Sequence, residues 1–200
     1  MSNYKFLIIR FSSIGDVILT TPLVRCLRAK FPGAQIDFLV KKEFAVVLSG
    51  NPHINNIITF DKNDNRNELK RIRMHIIFSR YSVILDIQKN IRSMLVCAGT
   101  RTGIIGFSKK ILARDLLIRF KLNIYKEIKP VYLRYFESVE TLGVEYDGKG
   151  TEVYPSIEES DKISEILKQN DIASEIPILV IAPGAQWENK RWPADGFAKA

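Results

Sequence analysis

The sequence has 200 residues, 46% of them hydrophobic, which is enough for the core of one full domain and a remainder. No apolar run approaches the roughly 18 residues of a membrane-spanning helix, and Arg10 interrupts the first apolar run, so we expect no signal peptide. Cys26 and Cys97 lie in apolar helical contexts that are typical of reduced core residues. Together these features predict a cytoplasmic protein.

The net charge of +8 is distributed unevenly along the chain. Residues 62–134 contain 17 Lys and Arg against 5 Asp and Glu, whereas residues 135–188 contain 3 against 12. A separation of this size favours anionic partners, although an ordinary solvated surface remains the alternative. Because the sequence has no zinc-finger spacing, RNP-like motif or helix-turn-helix signature, we expect no nucleic-acid partner. An anionic glycan or lipid headgroup is the favoured ligand.

Apolar and polar segments alternate in a pattern that predicts strands and helices in turn. The predicted strands are residues 6–10, 36–40, 56–60, 83–86 and 102–107, followed in a second domain by 178–182. The predicted helices are residues 43–48, 68–79, 131–142 and 158–170, one that carries Arg92, and a helical turn near 113–119 within an otherwise irregular 108–130.

The first helix allows two interpretations. It begins either at Pro22, with Thr21 as N-cap, or near Gly15 with a bend at Pro22; Phe31-Pro32-Gly33 ends it. Residues 145–155 are rich in glycine and polar side chains and suit a linker. We therefore expect an α/β fold with a parallel sheet in residues 1–150 and the incomplete start of a second domain in 151–200.

Small residues and one carboxylate follow the first predicted strand: Ser12, Ser13, Gly15 and Asp16. In open α/β sheets ligands bind at the carboxyl ends of the strands. Asp16 is a candidate general base; the alternative is a first-turn acid that the helix dipole stabilises by about 0.3–1 kcal/mol. Ser12 and Ser13 offer hydroxyl and backbone N–H groups to an anion at the start of the helix.

A second turn, from Pro183-Gly184-Ala185 to Lys190-Arg191-Trp192-Pro193, follows another apolar run. Lys190 is a candidate point charge that neutralises a leaving diphosphate in a cleft between domains. The alternative is exposed charge in front of a helix that starts at Pro193. His53 and His75 have no companion ligands at metal-binding spacing, so we expect no metal site.

Four segments together resemble one family, the lipopolysaccharide heptosyltransferases of glycosyltransferase family 9. Residues 10–23 resemble its opening motif, and residues 85–93 resemble its central Asp-Leu-x-x-x-x-Arg-Ser segment. Residues 101–107 resemble its Arg-Ile-Gly-Phe strand, and residues 183–193 resemble its first donor-site motif, although Gln186-Trp187 departs from the small or hydroxyl residues of many relatives.

The resemblance implies a GT-B fold, in which two Rossmann-like domains face each other across the active site. It implies inverting transfer of heptose from ADP-heptose to the Kdo–lipid A or heptosyl-Kdo inner core of lipopolysaccharide, without a metal or other cofactor. Asp16 matches the family's general base and Lys190 its diphosphate-binding lysine. Gly184, Ser12, Ser13 and Gly15 are further donor-side candidates.

The basic block supplies candidates for the anionic acceptor: Arg66, Lys70, Arg71 and Arg73. We expect peripheral contact with the cytoplasmic face of the inner membrane and no obligate protein partner. Since Ala200 precedes the family's remaining donor contacts, we expect these 200 residues to be inactive alone. Two alternatives stay open: a family 9 transferase for another sugar nucleotide, and an inactive fragment that binds anionic glycolipid without turnover.

Overall fold

The computed structural model describes residues 4–61, 63, 65–107, 111–124, 129–172, 177–185 and 188–199. The chain folds as two compact units, Met1–Ser156 and Ile157–Ala200.

The first unit is built on a parallel sheet. Its strands are β1 (Lys5–Ile9), β2 (Gln35–Lys41), β3 (Asn56–Phe60), β4 (Val83–Asp86) and β5 (Gly103–Ile105). Their order in space is β3-β2-β1-β4-β5, and every neighbouring pair is parallel. All five strands predicted for this unit are confirmed, with ends that differ by at most two residues.

Helices cover both faces of the sheet because β1 carries apolar side chains on both sides. The helices are α1 (Ile14–Ile18), α2 (Thr21–Lys30), α3 (Asn65–Ser79), α4 (Ile91–Cys97), α5 (Ile111–Phe120) and α6 (Val131–Phe136). Phe6 and Ile8 pack with α2 and α6, whereas Leu7 and Ile9 pack with α3 and α4. The result is a three-layer α/β/α unit with β1 at its centre.

The region after β1 forms two helices, neither of the two predicted arrangements. Thr20, and not Thr21, is the N-cap of α2, with Pro22 in its first turn. The Thr20 hydroxyl donates to the Val17 carbonyl at 2.6 Å and the Thr21 hydroxyl to the Ile18 carbonyl at 2.8 Å. Both hydroxyls therefore satisfy carbonyls at the end of α1, so the prediction of Thr21 as N-cap was wrong.

Two other helical predictions also need correction. The single helix predicted over 131–142 is divided into α6 and a 3₁₀ turn, Glu140–Leu142, which ends at Gly143 with φ of +66°. Glycine suits this left-handed position because it has no Cβ. The segment 108–130 is more helical than predicted, since α5 extends from Ile111 to Phe120; residues 108–110 and 125–128 lie outside the described part of the chain.

A buried carboxylate lies within the sheet. Asp37 of β2 is 2% exposed, and its oxygens accept hydrogen bonds from Tyr81 Oη at 2.7 Å, Asn56 Nδ2 at 2.8 Å and Gln35 Nε2 at 2.8 Å. Burial raises the pKa of Tyr81, and the bond to Asp37 adds to that rise. The donors make burial of the charge tolerable, and one of them, Asn56, is the cross-strand neighbour of Asp37 in β3.

The predicted linker has no helix or strand, but side chains of α2 fix it in place: the Thr21 hydroxyl accepts the Glu152 N–H at 3.0 Å, and Arg25 makes several bonds. Arg25 donates to Asp147 through Nε at 2.7 Å and Nη2 at 2.8 Å. It also donates to Glu152 at 2.5 Å and to the Gly150 carbonyl at 3.0 Å. The Arg25 side chain is only 12% exposed. This segment is therefore part of the first unit and is held by charge-assisted hydrogen bonds.

The second unit contains α7 (Ile157–Gln169), a 3₁₀ turn (Glu188–Lys190) and α8 (Ala194–Lys199). The helix predicted over 158–170 is confirmed, and the helix expected to start at Pro193 begins one residue later, at Ala194. The strand predicted at 178–182 is wrong: residues 177–185 have no regular structure and mostly exposed side chains. A strand needs a neighbour for its backbone hydrogen bonds, and the described residues of this unit contain none. Across the described residues, no helix is long and apolar enough to span a bilayer.

We predict that Arg25→Met lowers the free energy of unfolding by about 2–3 kcal/mol at pH 7, because it removes several charge-assisted hydrogen bonds. The Arg25 hydrogen bonds hold the pKa of Asp147 well below its usual range. This stabilisation is complete above the ordinary carboxyl pKa of about 3.9 and is lost as the pH falls further. Urea unfolding of both proteins at pH 7 and about pH 2.5 should show a smaller difference in acid. Equal differences at the two pH values would contradict this assignment.

Candidate active site

The order of the strands creates a crevice at the carboxyl ends of two neighbouring strands, β1 and β4. From β1 the chain moves outward through β2 and β3, then returns to the other side of β1 for β4 and β5. Connections therefore leave the carboxyl ends of β1 and β4 in opposite directions, and ligands bind in such crevices. The loop after β1 leads into α1, and the loop after β4 leads into α4.

Asp16 lies in the first turn of α1 and is anchored through one oxygen only. Its Oδ2 contacts Arg10 Nη2 at 2.7 Å, the Ser13 N–H at 3.1 Å and the Ser13 hydroxyl at 2.9 Å. Within the described part of the chain, Oδ1 receives no hydrogen bond. The Asp16 side chain is 34% exposed. The carboxylate is therefore fixed in orientation while one oxygen remains available to a ligand.

The same contacts determine the ionisation of Asp16. Burial raises the pKa of this carboxyl, but the hydrogen bonds from Ser13 and the charge of Arg10 outweigh burial and hold the pKa below its ordinary value. Asp16 is therefore a carboxylate at neutral pH, which is the form that accepts a proton.

Arg10 connects the loops that follow β1 and β4. Besides Asp16, its guanidinium donates from Nη1 to the Ile87 carbonyl at 3.0 Å. It also lies 5.9 Å from the centroid of the buried Tyr135 ring of α6. A side chain held at three points has little freedom, so the position of Asp16 follows from that of Arg10.

Gln88 makes a second connection between these loops. Its Oε1 accepts the Phe11 N–H at 2.9 Å and the Ser12 N–H at 3.4 Å. Gln88 is itself placed by Asp86, whose Oδ1 accepts the N–H groups of Gln88 at 3.0 Å and Lys89 at 2.7 Å. The other Asp86 oxygen accepts the Ser93 hydroxyl at 2.7 Å. Asp86 therefore fixes the conformation of the loop after β4, and Gln88 holds the loop that carries Asp16 against it.

The donor-side candidates of the first unit lie beside Asp16. Ser12 meets Gln88 through its backbone, and Ser13 bonds to Asp16. Gly15 is exposed, and a Cβ placed on it would meet no atom within 4 Å. No crowding by the protein requires glycine at position 15, and the space in front of it is open to a ligand. Contact of these residues with a donor stays a prediction.

The four acceptor candidates lie on α3 but differ in their surroundings. Arg71 bonds to Glu68 and to the Thr59 carbonyl of β3, each at 2.8–2.9 Å. Arg73 donates to the Ala98 carbonyl at 2.6 Å, beyond the end of α4. These two guanidinium groups therefore have structural partners. Arg66, in the first turn of α3, and Lys70 are exposed.

The donor candidates of the second unit lie in its turn region. Lys190 ends the 3₁₀ turn and is exposed, and Gly184 borders open space. Arg191 fixes the turn by donating from Nε to the Ala185 carbonyl at 2.6 Å. Residues 186–187, where the sequence departs from the family pattern, lie outside the described residues.

The histidines contact other protein side chains and the cysteines are buried, so neither kind of residue forms a metal or thiol site in the described residues. Among the described residues, no group of three or more His, Cys, Asp or Glu could hold a metal ion. His53 lies 3.6 Å from Glu152, and His75 contacts Ser79. Both cysteines are free and buried, and burial raises the pKa of the Cys97 thiol to about 12. Such thiols are protonated and unreactive at neutral pH.

Sequence reasoning missed the roles of Arg10, Gln88 and Asp86, although all three lie in segments that it had singled out. A signal for Arg10 was available, because a charged residue directly ends the apolar run of β1. For Gln88 no sequence signal existed, since its partners precede it by 76 and 77 residues.

Comparison with curated proteins identifies relatives over nearly the whole chain. Lipopolysaccharide heptosyltransferase 1 of Campylobacter coli is 24% identical over 97% of this chain and 58% of its own length. Lipopolysaccharide heptosyltransferase 2 of Escherichia coli K12 is 26% identical over 98% of this chain and 58% of its own length. The chain thus spans a little over half the length of these relatives.

Solved structures show the same fold. A family 9 glycosyltransferase from Veillonella parvula superposes with a TM-score of 0.79 at 21% identity, over 98% of this chain and 57% of that protein. The ADP-heptose heptosyltransferase II of E. coli superposes with a TM-score of 0.61 at 22% identity, over 98% of this chain and 59% of that protein. The fold class is therefore α/β of the GT-B type.

A family model describes the longer part of the chain. The model of glycosyltransferase family 9 (heptosyltransferase) matches residues 70–200, which include the loop with Gln88 and the turn with Lys190. The chain belongs to glycosyltransferase family 9.

Proposed function

We propose that this chain is the acceptor-binding domain and the first part of the donor-binding domain of a lipopolysaccharide heptosyltransferase. The transferred sugar is heptose from ADP-heptose, and the acceptor is a hydroxyl of the anionic inner core, Kdo–lipid A or heptosyl-Kdo. Family membership and the activities for which the relatives are named support this proposal. The observation that carries it is an anchored carboxylate with one available oxygen at the topological switch point.

In the proposed mechanism Asp16 is the general base. The acceptor hydroxyl donates a hydrogen bond to Oδ1, while Arg10 and Ser13 hold Oδ2 in place. As the hydroxyl oxygen bonds to the anomeric carbon from the face opposite the diphosphate, its proton becomes acidic and moves to Oδ1. The C–O bond to the diphosphate breaks, so the configuration inverts and ADP leaves. The low pKa of Asp16 makes it a weak base, which suits proton transfer late in the reaction.

The leaving group requires positive charge. In the proposal Lys190 neutralises the diphosphate as the negative charge develops, which needs no metal ion or other cofactor. Ser12, Ser13 and Gly15, in and before the first turn of α1, remain the donor-side candidates of the first unit in this proposal. Arg66 and Lys70, which are exposed, attract the anionic acceptor in this proposal.

The proposed acceptor is a membrane glycolipid, so the proposed location is the cytoplasmic face of the inner membrane with peripheral attachment. No obligate protein partner is needed for the reaction as written.

In the full-length protein, Asp16→Asn should lower kcat by about 100-fold or more and leave the KM for ADP-heptose nearly unchanged, because the base acts in the chemical step. Asp61→Asn is the matched control, since Asp61 directly follows β3 at the same edge of the sheet. Radiolabelled heptose transfer to Kdo–lipid A measures both. Turnover close to wild type would return Asp16 to the role of a helix-capping acid.

Gln88 is a positioning residue in this proposal. Gln88→Met removes the acceptor of the Phe11 and Ser12 N–H groups, and we expect kcat to fall by about 10-fold with a small change in donor KM. Gln88→Glu keeps an oxygen at the same place and should recover most of the loss. An equal loss of kcat in both variants, or a loss of thermal stability alone, would show that Gln88 does not position Asp16.

The 200-residue chain itself should transfer no heptose. The described residues of its second unit provide the Lys190 turn but no strand, and a diphosphate-sugar site needs contacts from several strand ends. The test incubates the purified chain with ADP-heptose and Kdo–lipid A and compares it with the full-length protein. Retained binding of Kdo–lipid A without transfer would support the glycolipid-binding fragment, whereas turnover would show that the donor site is misplaced.

A further inference from the structure

An apolar groove lies between α3 and α4, on the face of the sheet opposite α2. Leu69 of α3 and Ile91 and Leu95 of α4 line it together with Asn90 and Arg92, and it encloses about 570 Å³. Ile91 is 76% exposed, and Met94, next to Leu95 on α4, is 67% exposed. Large apolar side chains at this exposure on one short helix indicate a surface that meets an apolar partner.

The segment from the start of α3 to the end of α4 is strongly basic. Residues 65–97 contain seven Lys and Arg but only two acids, Glu68 and Asp86. Both acids are already engaged: Glu68 pairs with Arg71 at 2.8 Å, and Asp86 is buried with hydrogen bonds from its own loop. Arg66, Lys70 and Arg92 are exposed. The surface therefore combines apolar side chains with positive charge that nearby carboxylates do not cancel.

The groove lies next to the loop that follows β4. Asn90, which lines it, is the N-cap of α4 and ends the loop that contains Gln88. A partner seated on α3 and α4 would therefore lie next to the β4 loop, which Arg10 and Gln88 connect to the loop that carries Asp16. Among partners of this chemistry, a bilayer of anionic lipid fits best, because it accepts apolar side chains below its headgroups and basic side chains among them.

We propose that the α3–α4 face, formed by Ile91, Met94, Leu95 and Arg92 with Arg66 and Lys70, docks onto an anionic phospholipid bilayer. Ile91 and Met94 enter the boundary between headgroups and acyl chains, and the guanidinium and ammonium groups bind lipid phosphates. The docked face brings the carboxyl ends of β1 and β4 to headgroup level, where a glycolipid acceptor presents its sugar. The presentation of the site to a glycolipid acceptor rests on the proposed function, but docking itself requires neither donor nor acceptor.

The test is sedimentation of the 200-residue chain with vesicles that contain no lipopolysaccharide. We expect binding to phosphatidylcholine vesicles with about 30 mol% phosphatidylglycerol and weak binding to pure phosphatidylcholine. The double variant Ile91→Asp, Met94→Asp should bind the anionic vesicles at least about 10-fold more weakly than the wild type. Both positions are exposed, so circular dichroism and thermal unfolding should match the wild type.

Val46→Asp is the matched control, because Val46 is 59% exposed and lies in the 3₁₀ helix Lys42–Leu48, outside α3 and α4. It should bind vesicles as the wild type does. Arg92→Glu should weaken binding at about 0.1 M salt and have little effect at 1 M salt, where the Debye length is about 3 Å.

Three results would overturn the proposal: no preference of the wild type for anionic vesicles, equal binding by the double variant, or an equal loss in Val46→Asp. Conversion of a dimer to a monomer by the double variant, seen by analytical ultracentrifugation without vesicles, would instead assign the face to a second copy of the chain. Since the vesicles contain no sugar acceptor, failure here leaves the heptose-transfer proposal intact, and failure of transfer leaves docking intact.

Discussion

The structure of the first unit depends on β1, which is buried on both faces and paired in parallel on both edges. Phe6, Leu7, Ile8 and Ile9 are each fully buried, and β1 pairs with β2 on one side and β4 on the other. A strand in this position has no freedom to shift, because any displacement would disturb two cores and two hydrogen-bond ladders. The strand order changes direction at β1, so this firmly held strand also ends at the crevice.

The site extends this rigidity beyond the end of the strand. Two side chains connect the loop after β1 to the loop after β4: Arg10 reaches the Ile87 carbonyl, and Gln88 reaches the Phe11 and Ser12 N–H groups. Hydrogen bonds of this kind contribute about 0.5–3 kcal/mol each, with the charged ones at the upper end. Their larger effect is geometric, since they turn two surface loops into one frame that orients Asp16.

The strands of the first unit were predictable because each is a short apolar run bounded by turn residues, a pattern that depends only on local sequence. The apolar run at 178–182 has the same pattern and forms no strand, because pairing requires neighbours that local sequence does not reveal. The position of Asp16 just after a strand was predictable for a similar reason, since that position depends only on local sequence. The partners of Asp16 were not all predictable.

Contacts between distant side chains mark the limit of reading the sequence. Residues 145–155 have the composition of a linker. Arg25 nevertheless donates hydrogen bonds to Asp147 and Glu152 of that segment, which lie more than 120 residues further along the chain. The basic residues of α3 look alike in the sequence and are exposed in the structure, but Arg73 donates to the Ala98 carbonyl and Arg71 to Glu68. Composition identified the charged region, and only packing distinguished its members.

The buried Asp37 has a consequence for how this domain can vary. If β3 shifted by one residue against β2, Asn56 would move away from Asp37 and leave a carboxylate oxygen without its donor. A buried charge without a partner costs several kcal/mol, so the Asp37–Asn56 pair opposes the shifted pairing, together with the bonds between Asn55 and Ile36. Exposed residues of the connection from 42 to 55, such as Val46, can therefore change during evolution without altering the register of β3. Leu48, which is buried, and Asn55, whose Oδ1 accepts the Ile36 N–H at 2.8 Å, do not have this freedom.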